Sequence, residues 1–544
     1  MSSGAAGADQ RLAFANADEC RAWLEAIPLG NPVQAQAQLL RQLNLLSRQS
    51  MAENERLVLL ELLRRSVLPV QEEGARRFVA KPLPLVPPEQ AAFDATQAVW
   101  RGQLAGYLRC IEATVAGDAA LKPYLALLIQ RAFDTLAAAQ FDFCRAGYQP
   151  APENWRALHE LYHVAEEAGV AEREIEDKAR LGKRVTTPRA LYVEVLLLHA
   201  ASPHELPMRH LLWIARWARR WAGKVGVLAT APTESSTMPM WVDLASSEPA
   251  GVGGAPPEAA TVRWLDTAGL RQSLKQRLSL LDKGAAPSEL QLGEDCTQPA
   301  CGQLLKKVYR RWCKGAPSLG RERQAVAGTC ELIAGIEAIH YHLSGRTPFR
   351  QPGFSDDEAL RRDREEIATF GRVAARHLDG FTEQQGFRSE EWQVVEEWQM
   401  TDESATGIHL TRAVTSSGIR IGQGQLLALR SAEAQSLLLG YLRWAMVTLD
   451  SRLHAGILVV PGQPEPMAVR IADPGGTKES YRPGFLLPAV VPLRSAATIV
   501  LPPGYFKSGR IVEVITATRQ QRLRLLHQVD RGVDFDRAGY EVMP

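Results

Sequence analysis

Two short stretches of this sequence hold residue types whose spacing could do chemistry. His159-Glu160-Leu161-Tyr162-His163 fits the His-Glu-x-x-His pattern. On a helix this sets two imidazoles one turn apart, able to hold Zn²⁺ with Glu160 as base and Glu172 or Glu176 among the nearest downstream candidates for a third ligand. The same stretch carries Trp155, Leu158, Leu161, Tyr162 and Ala165 at packing intervals, so a metal-free member of a helical array fits it too. The second stretch, Trp398 to Leu410, contains Asp402-x-Ser404-x-x-Gly407. A short carboxylate and a hydroxyl on a turn can accept from and donate to a guanine edge, and a glycine permits close backbone approach. Read alone, the pattern is also that of an ordinary Asx-type turn.

Other groupings are poorer. Cys296 and Cys301, with Cys313 and Cys330 beyond, lack the Cys-x-x-Cys spacing of a zinc site. The cysteines number seven, odd and thinly spread, which suits a reducing compartment rather than a disulfide scaffold. Trp213, Trp217 and Trp221 stand four apart with Arg216, Arg219 and Arg220 interleaved, a pattern that could rest on a membrane or a nucleic-acid strand. Leu211, Leu212 and Ile214 extend the apolar face, however, and favour a core helix. There is no glycine-rich phosphate loop and no Gly-x-Ser-x-Gly elbow, so nucleotide hydrolysis and serine hydrolase chemistry lack support. With 63 basic and 61 acidic residues the net charge is +2, and any anion must be held locally rather than by an overall field.

The elements that must position these residues differ between the two halves. From Ala17 to about Gly169, apolar residues recur three and four apart, as in Leu39, Leu40, Leu43, Leu45 and Leu46, which predicts successive helices. The Pro-rich strip from Lys81 to Pro88 reads as an extended connector, and Pro188 to Ala222 as a second helical block. Val225 to Val242 reads as strand-like or irregular, and Glu248 to Ala260 as a Gly/Pro/Ala-rich break. Helices resume at Leu265 to Leu281 and at Gln303 to Lys314. Beyond that the segments are short, β-branched and separated by turn residues, apart from a charged helical stretch over 356–377. The N-terminus lacks the features of a signal peptide, and no segment has the apolar length of a membrane span, so a cytoplasmic protein is expected.

The Asp402-x-Ser404-x-x-Gly407 turn between two strand patterns, followed by strand patterns at Gln423 to Arg430, Leu438 to Val447 and His454 to Val460, resembles the second signature and barrel of PilZ domains. The resemblance covers about Ser318 to Val460, and the layout is similar to large bacterial proteins with a helical half and an atypical PilZ domain. It implies an α+β multidomain chain: a helical array over 1–245, a linker with connecting helices over 246–317, a PilZ-like β-barrel over 318–465, and a further β unit over 466–544. It also implies a non-enzymatic receptor for cyclic di-GMP without other cofactor, with Asp402 and Ser404 addressing a guanine and Gly407 admitting it. PilZ domains carry an upstream Arg-x-x-x-Arg; here only Arg321 and Arg323 precede the first strand pattern, Gly328 to His342, at a different spacing. Arg372 and Arg376 have the spacing but fall in the helical stretch, where such pairs face solvent. A protein partner is expected on the helical half, with self-association through the long helices as a further expectation and no nucleic-acid partner. The alternatives are a barrel that has lost its ligand and serves as a scaffold for protein partners, and a zinc metallopeptidase built on His159, Glu160 and His163.

Overall fold

The computed structural model describes residues 11–177, 185–232, 240–252, 256–314, 324–352, 394–404, 406–415, 418–434, 436–472 and 480–543. The chain divides into two compact units, the first Met1–Lys81 with Leu85–Gly320, the second Pro82–Pro84 with Arg321–Pro544. The stretch expected to form a helix over 356–377 lies outside the described residues, as do Arg321, Arg323, Arg372 and Arg376.

The first unit begins with helices α1 (Ala17–Glu25), α2 (Pro32–Arg48), α3 (Glu53–Ala75), α4 (Pro87–Val115), α5 (Leu125–Ala146) and α6 (Pro152–Glu167). Their starts are written locally. Asn16 accepts from Asp18 N and Glu19 N, and Asn31 accepts from Gln34 N with Pro32 in the first turn, where a missing N–H costs nothing. The short hairpin β1 (Ile175–Glu176) and β2 (Val185–Thr186) leads to α7 (Pro188–Ala200) and α8 (Met208–Trp221). A sheet of β3 (Gly226–Leu228), β4 (Met240–Asp243), β5 (Gly251–Val252) and β6 (Val262–Asp266), ordered β3-β6-β4-β5, precedes α9 (Ala268–Asp282) and α10 (Ala300–Lys314). One continuous core runs from Leu39, Leu43 and Leu46 of α2 to Leu304, Leu305 and Val308 of α10. Trp213, Trp217 and Trp221 are fully buried in it, so the tryptophan stripe is core and not a lipid or nucleic-acid face. Cys296 and Cys301 are joined in a disulfide, while the other five cysteines are free.

The second unit holds two six-stranded barrels. The first closes β7 (Gln324–Ala334), β8 (Glu396–Ser404), β9 (Gly407–Ala413), β10 (Leu426–Ser431), β11 (Leu438–Val447) and β12 (Arg452–Val459) in the order β10-β11-β12-β9-β8-β7. Helix α11 (Ile336–Leu343) follows β7. The strand expected over Gly328 to His342 therefore stops early: Gly335 adopts a φ of 92°, and Ile336, Ile339 and His340 recur at helical spacing and are buried. Residues after Val460 form a closed ring of their own: β13 (Glu465–Ile471), β14 (Arg482–Leu487), β15 (Thr498–Leu501), β16 (Ile511–Ile515), β17 (Gln520–Arg531) and β18 (Asp536–Val542), ordered β13-β14-β15-β18-β17-β16. Each barrel leaves no open edge, which removes the usual route to strand-mediated aggregation.

A shared apolar joint unites the barrels, with Ile333, Ile336, Ile339, Leu426 and Leu439 of the first meeting Phe485, Leu487, Val500 and Phe535 of the second. The loop before β18 is hydrogen-bonded into it: Leu426 N donates to Asp534 Oδ1 (2.9 Å) and Val533 N to Gly424 O (3.1 Å). The segment Pro82–Pro84 also belongs to this unit, with Leu83 and Ile421 exchanging two backbone hydrogen bonds of 2.9 and 2.8 Å.

Candidate functional site

The Asp402-x-Ser404-x-x-Gly407 pattern forms the tip of the β8–β9 hairpin, where Ser404 pairs with Gly407, Glu403 with Ile408 and Asp402 with His409. Strand alternation sorts the neighbouring residues between the two sides of the barrel wall. Trp398, Leu410, Leu453, Ala455 and Ile457 are buried, while Asp402, His409 and His454 are partly exposed. A bulge between Met400 and Asp402 breaks the β8–β9 register next to the motif, a common way for a barrel wall to re-aim side chains.

On this face the polar groups form a chain. Asp402 Oδ2 accepts from His409 Nδ1 at 3.0 Å, and His409 Nε2 lies 3.1 Å from His454 Nδ1. A carboxylate can only accept, so His409 Nδ1 carries a proton; in the neutral pair His409 Nε2 then accepts from His454. Burial, followed by the nearby His409, lowers the pKa of His454, which favours that neutral form. Trp444 stands against His409 with ring centroids 5.1 Å apart, and its indole lies across Gly456, where an added Cβ would come within 2.0 Å of Nε1. Arg452 completes the patch, donating to Thr411 Oγ1 (3.2 Å) and Gln399 Oε1 (2.8 Å). The surface offers a carboxylate, two imidazoles, an indole and a guanidinium, a set suited to a planar, hydrogen-bonding ligand and holding no nucleophile–base pair.

The residues named from sequence fare differently. Asp402 reaches this face, already paired. The Ser404 hydroxyl donates to Gly407 O (3.3 Å) and so closes its own turn. Gly407 meets no steric demand from the chain itself, since a Cβ there would sit 3.4 Å from Ile457 O and 3.5 Å from Ser404 Oγ, ordinary contacts. Arg321 and Arg323 fall outside the described residues, and the next residue, Gln324, pairs with Glu403. His409 stood inside the quoted motif without a role, whereas His454 and Trp444 carried no local signal; strand pairing across 45 and 35 residues brings them in.

The helical His-Glu-x-x-His stretch is differently built. His159 is buried with both ring nitrogens engaged: Nε2 donates to Glu248 O (2.8 Å) and Nδ1 accepts from the Tyr192 hydroxyl (2.6 Å). No lone pair is left for a metal there, and burial lowers the pKa of His159, holding it neutral. His163 Nε2 lies 3.3 Å from Glu167 Oε1. Among the described residues no group of His, Cys, Asp or Glu side chains could hold a metal ion, and no helix is long and apolar enough to cross a membrane.

Comparison with known proteins adds a likeness along most of the chain. Residues 18–232 match the family model described as the N-terminal domain of the cyclic-di-GMP receptor FimW, and residues 467–543 match the FimW C-terminal beta-barrel domain. FimW of Pseudomonas aeruginosa, a cyclic-di-GMP receptor, is 23% identical over 546 aligned residues, covering 93% of this chain and 87% of FimW. The FimW barrel match falls on β13 to β18, so the candidate site on the first barrel lies between the two matched stretches. A solved structure of MrkH, a c-di-GMP-dependent transcription regulatory factor, aligns with 35% of this chain and 83% of its own at 9% identity, but its TM-score of 0.13 carries no argument.

Proposed function

We propose that the chain is a cyclic di-GMP receptor that signals through a protein partner and not by catalysis. The observation that carries this reading is the likeness to FimW, a protein described as a cyclic-di-GMP receptor, along 93% of the chain. The ligand is read onto the outer face of the first barrel. There Asp402 would exchange His409 for a guanine edge, Ser404 would add a hydroxyl, Gly407 would leave room beside the turn, and Trp444 and His409 would offer flat surfaces. Arg321 and Arg323 directly precede Gln324, whose partner Glu403 adjoins Asp402, so the reading gives them the phosphates. Ligand uptake would then change what the helical half presents to its partner, in the cytoplasm.

Isothermal titration of the full chain with cyclic di-GMP, beside an Asp402→Ala/Ser404→Ala variant at fixed salt, tests this. Binding at micromolar or tighter concentrations that is lost in the variant is the expected result. A second reading has its own support, since Asp402 and Ser404 are both hydrogen-bonded within the barrel. In that reading the barrel is a scaffold for protein partners, and titration of both proteins stays silent.

A further inference from the structure

A cluster of cations in the helical unit stands apart from the candidate site. Arg220 lies in the last turn of α8, Lys224 closes the short turn that follows, and Arg277 comes across from α9. The hydroxyl of Ser273, itself buried, gathers two of them: Lys224 Nζ donates to Ser273 Oγ at 3.1 Å and Arg277 Nη1 at 2.6 Å. Arg277 is further fixed by its Nε donating to Leu290 O (3.1 Å) and by stacking over the Trp221 ring at 5.3 Å. Lys224 and Arg220 are exposed.

The three charges repel one another. The pKa of Lys224 is lowered, first by burial and then by Arg277 and Arg220, and that of Arg277 is lowered by burial and Arg220. Among the described residues no carboxylate is hydrogen-bonded or ion-paired to any of the three. This contrasts with the next turn of the same helix, where Arg216 is paired with Asp295 (Arg216 Nη2 to Asp295 Oδ2, 3.4 Å). A single cation at the C-terminal end of α8 would need no explanation, because the helix dipole favours it. Two that share one buried hydroxyl, one of them from a second helix, with a third cation on the last turn of α8, constitute a prepared cationic surface.

We infer that Arg220, Lys224 and Arg277 form an anion site for a phosphate group. With Nε and Nη1 of Arg277 engaged, its Nη2 and the Lys224 ammonium can donate together to a tetrahedral oxyanion, and the fixed position of Arg277 means little side-chain freedom is lost on binding. A soluble phosphate ester and a lipid headgroup present the same chemistry. The inference does not rest on cyclic di-GMP binding by the first barrel.

The test uses pyrophosphate as probe with the full chain, following the thermal midpoint against sodium chloride of equal ionic strength, so that screening alone is cancelled. The expected result is a rise in midpoint for the native protein that is lost in Arg220→Gln/Lys224→Gln, with affinity falling about tenfold per charge removed. Both substitutions are at exposed positions, and Arg220→Gln alone gives the intermediate loss should the double variant fold poorly. Flotation with phosphatidylglycerol vesicles separates the sources: capture that the double variant loses assigns a headgroup, and a pyrophosphate response without capture assigns a soluble ester. No response of the native protein to either probe, or equal responses in native and variant proteins, overturns the site.

Discussion

The two barrels share strand number and closure but spend their surfaces differently. On the second, charges are closed into pairs: Glu513 accepts from Arg470 (2.8 Å) and Arg522 (2.9 Å), Glu541 from Arg524 (3.0 Å), and Glu465 from Arg519 (2.8 Å). Such pairs hold register and leave little unsatisfied. On the first, the hairpin tip strings Asp402, His409 and His454 into one polar chain beside a partly exposed indole. Every bond in that chain can be exchanged for a ligand's. The comparison teaches that the barrel matched by the FimW model ties its charges into pairs between its own side chains, while its neighbour gathers a carboxylate, two imidazoles and an indole at one hairpin tip.

The comparison breaks most forcefully at the joint the barrels share. Phe485 is fully buried there, and Phe485→Ala is expected to cost about 3–5 kcal/mol. Urea unfolding followed by fluorescence should show both barrels destabilised in a single transition; a loss confined to the second barrel would mean the joint is not a shared core. Asp534 tests the same joint by pH. Burial raises its carboxyl to about 6, with Glu337 adding to the rise against the hydrogen bond from Leu426. Because the folded value stands above the unfolded one, the group contributes stability at low pH and loses it as pH rises through about 6. Asp534→Asn keeps the acceptor for Leu426 N, so at neutral pH it should stabilise by roughly 1–2 kcal/mol after allowance for partial exposure. Its advantage should disappear near pH 4, as read from urea midpoints across pH. The smallest effect belongs to the second barrel's surface, where Glu541→Gln, loosening an exposed pair with Arg524, should cost under about 1 kcal/mol and leave cyclic di-GMP titration unchanged.

Much of this architecture was legible in the residues. The spacing of Leu39, Leu43 and Leu46 and the four-residue interval of Trp213, Trp217 and Trp221 are local signals, and their faces are buried as helical periodicity requires. The β segments after Gln324 announce themselves by alternation and turn residues. Ring closure did not, because it depends on the pairing of β13 with β16 and of β15 with β18, which no local window contains. The start of α11 was hidden for a different reason: Ile333 to His342 is apolar enough to continue a strand, and only the conformation at Gly335 turns it into a helix. At the site, Asp402 and Ser404 were readable as a turn, but their engagement by His409 and Gly407 O was not. In the helical His-Glu-x-x-His stretch the spacing was right for zinc, and burial against Tyr192 and Glu248 O decided otherwise.

Hydrogen exchange of the full chain with and without cyclic di-GMP tests the division of labour between the barrels most directly. The account predicts that ligand slows exchange in the β8–β9 hairpin and in β11 and β12 around Trp444 and His454, and leaves strands β16 and β17 of the second barrel unchanged. Protection confined to the second barrel would contradict it and move the binding site to the domain that FimW's own barrel model matches.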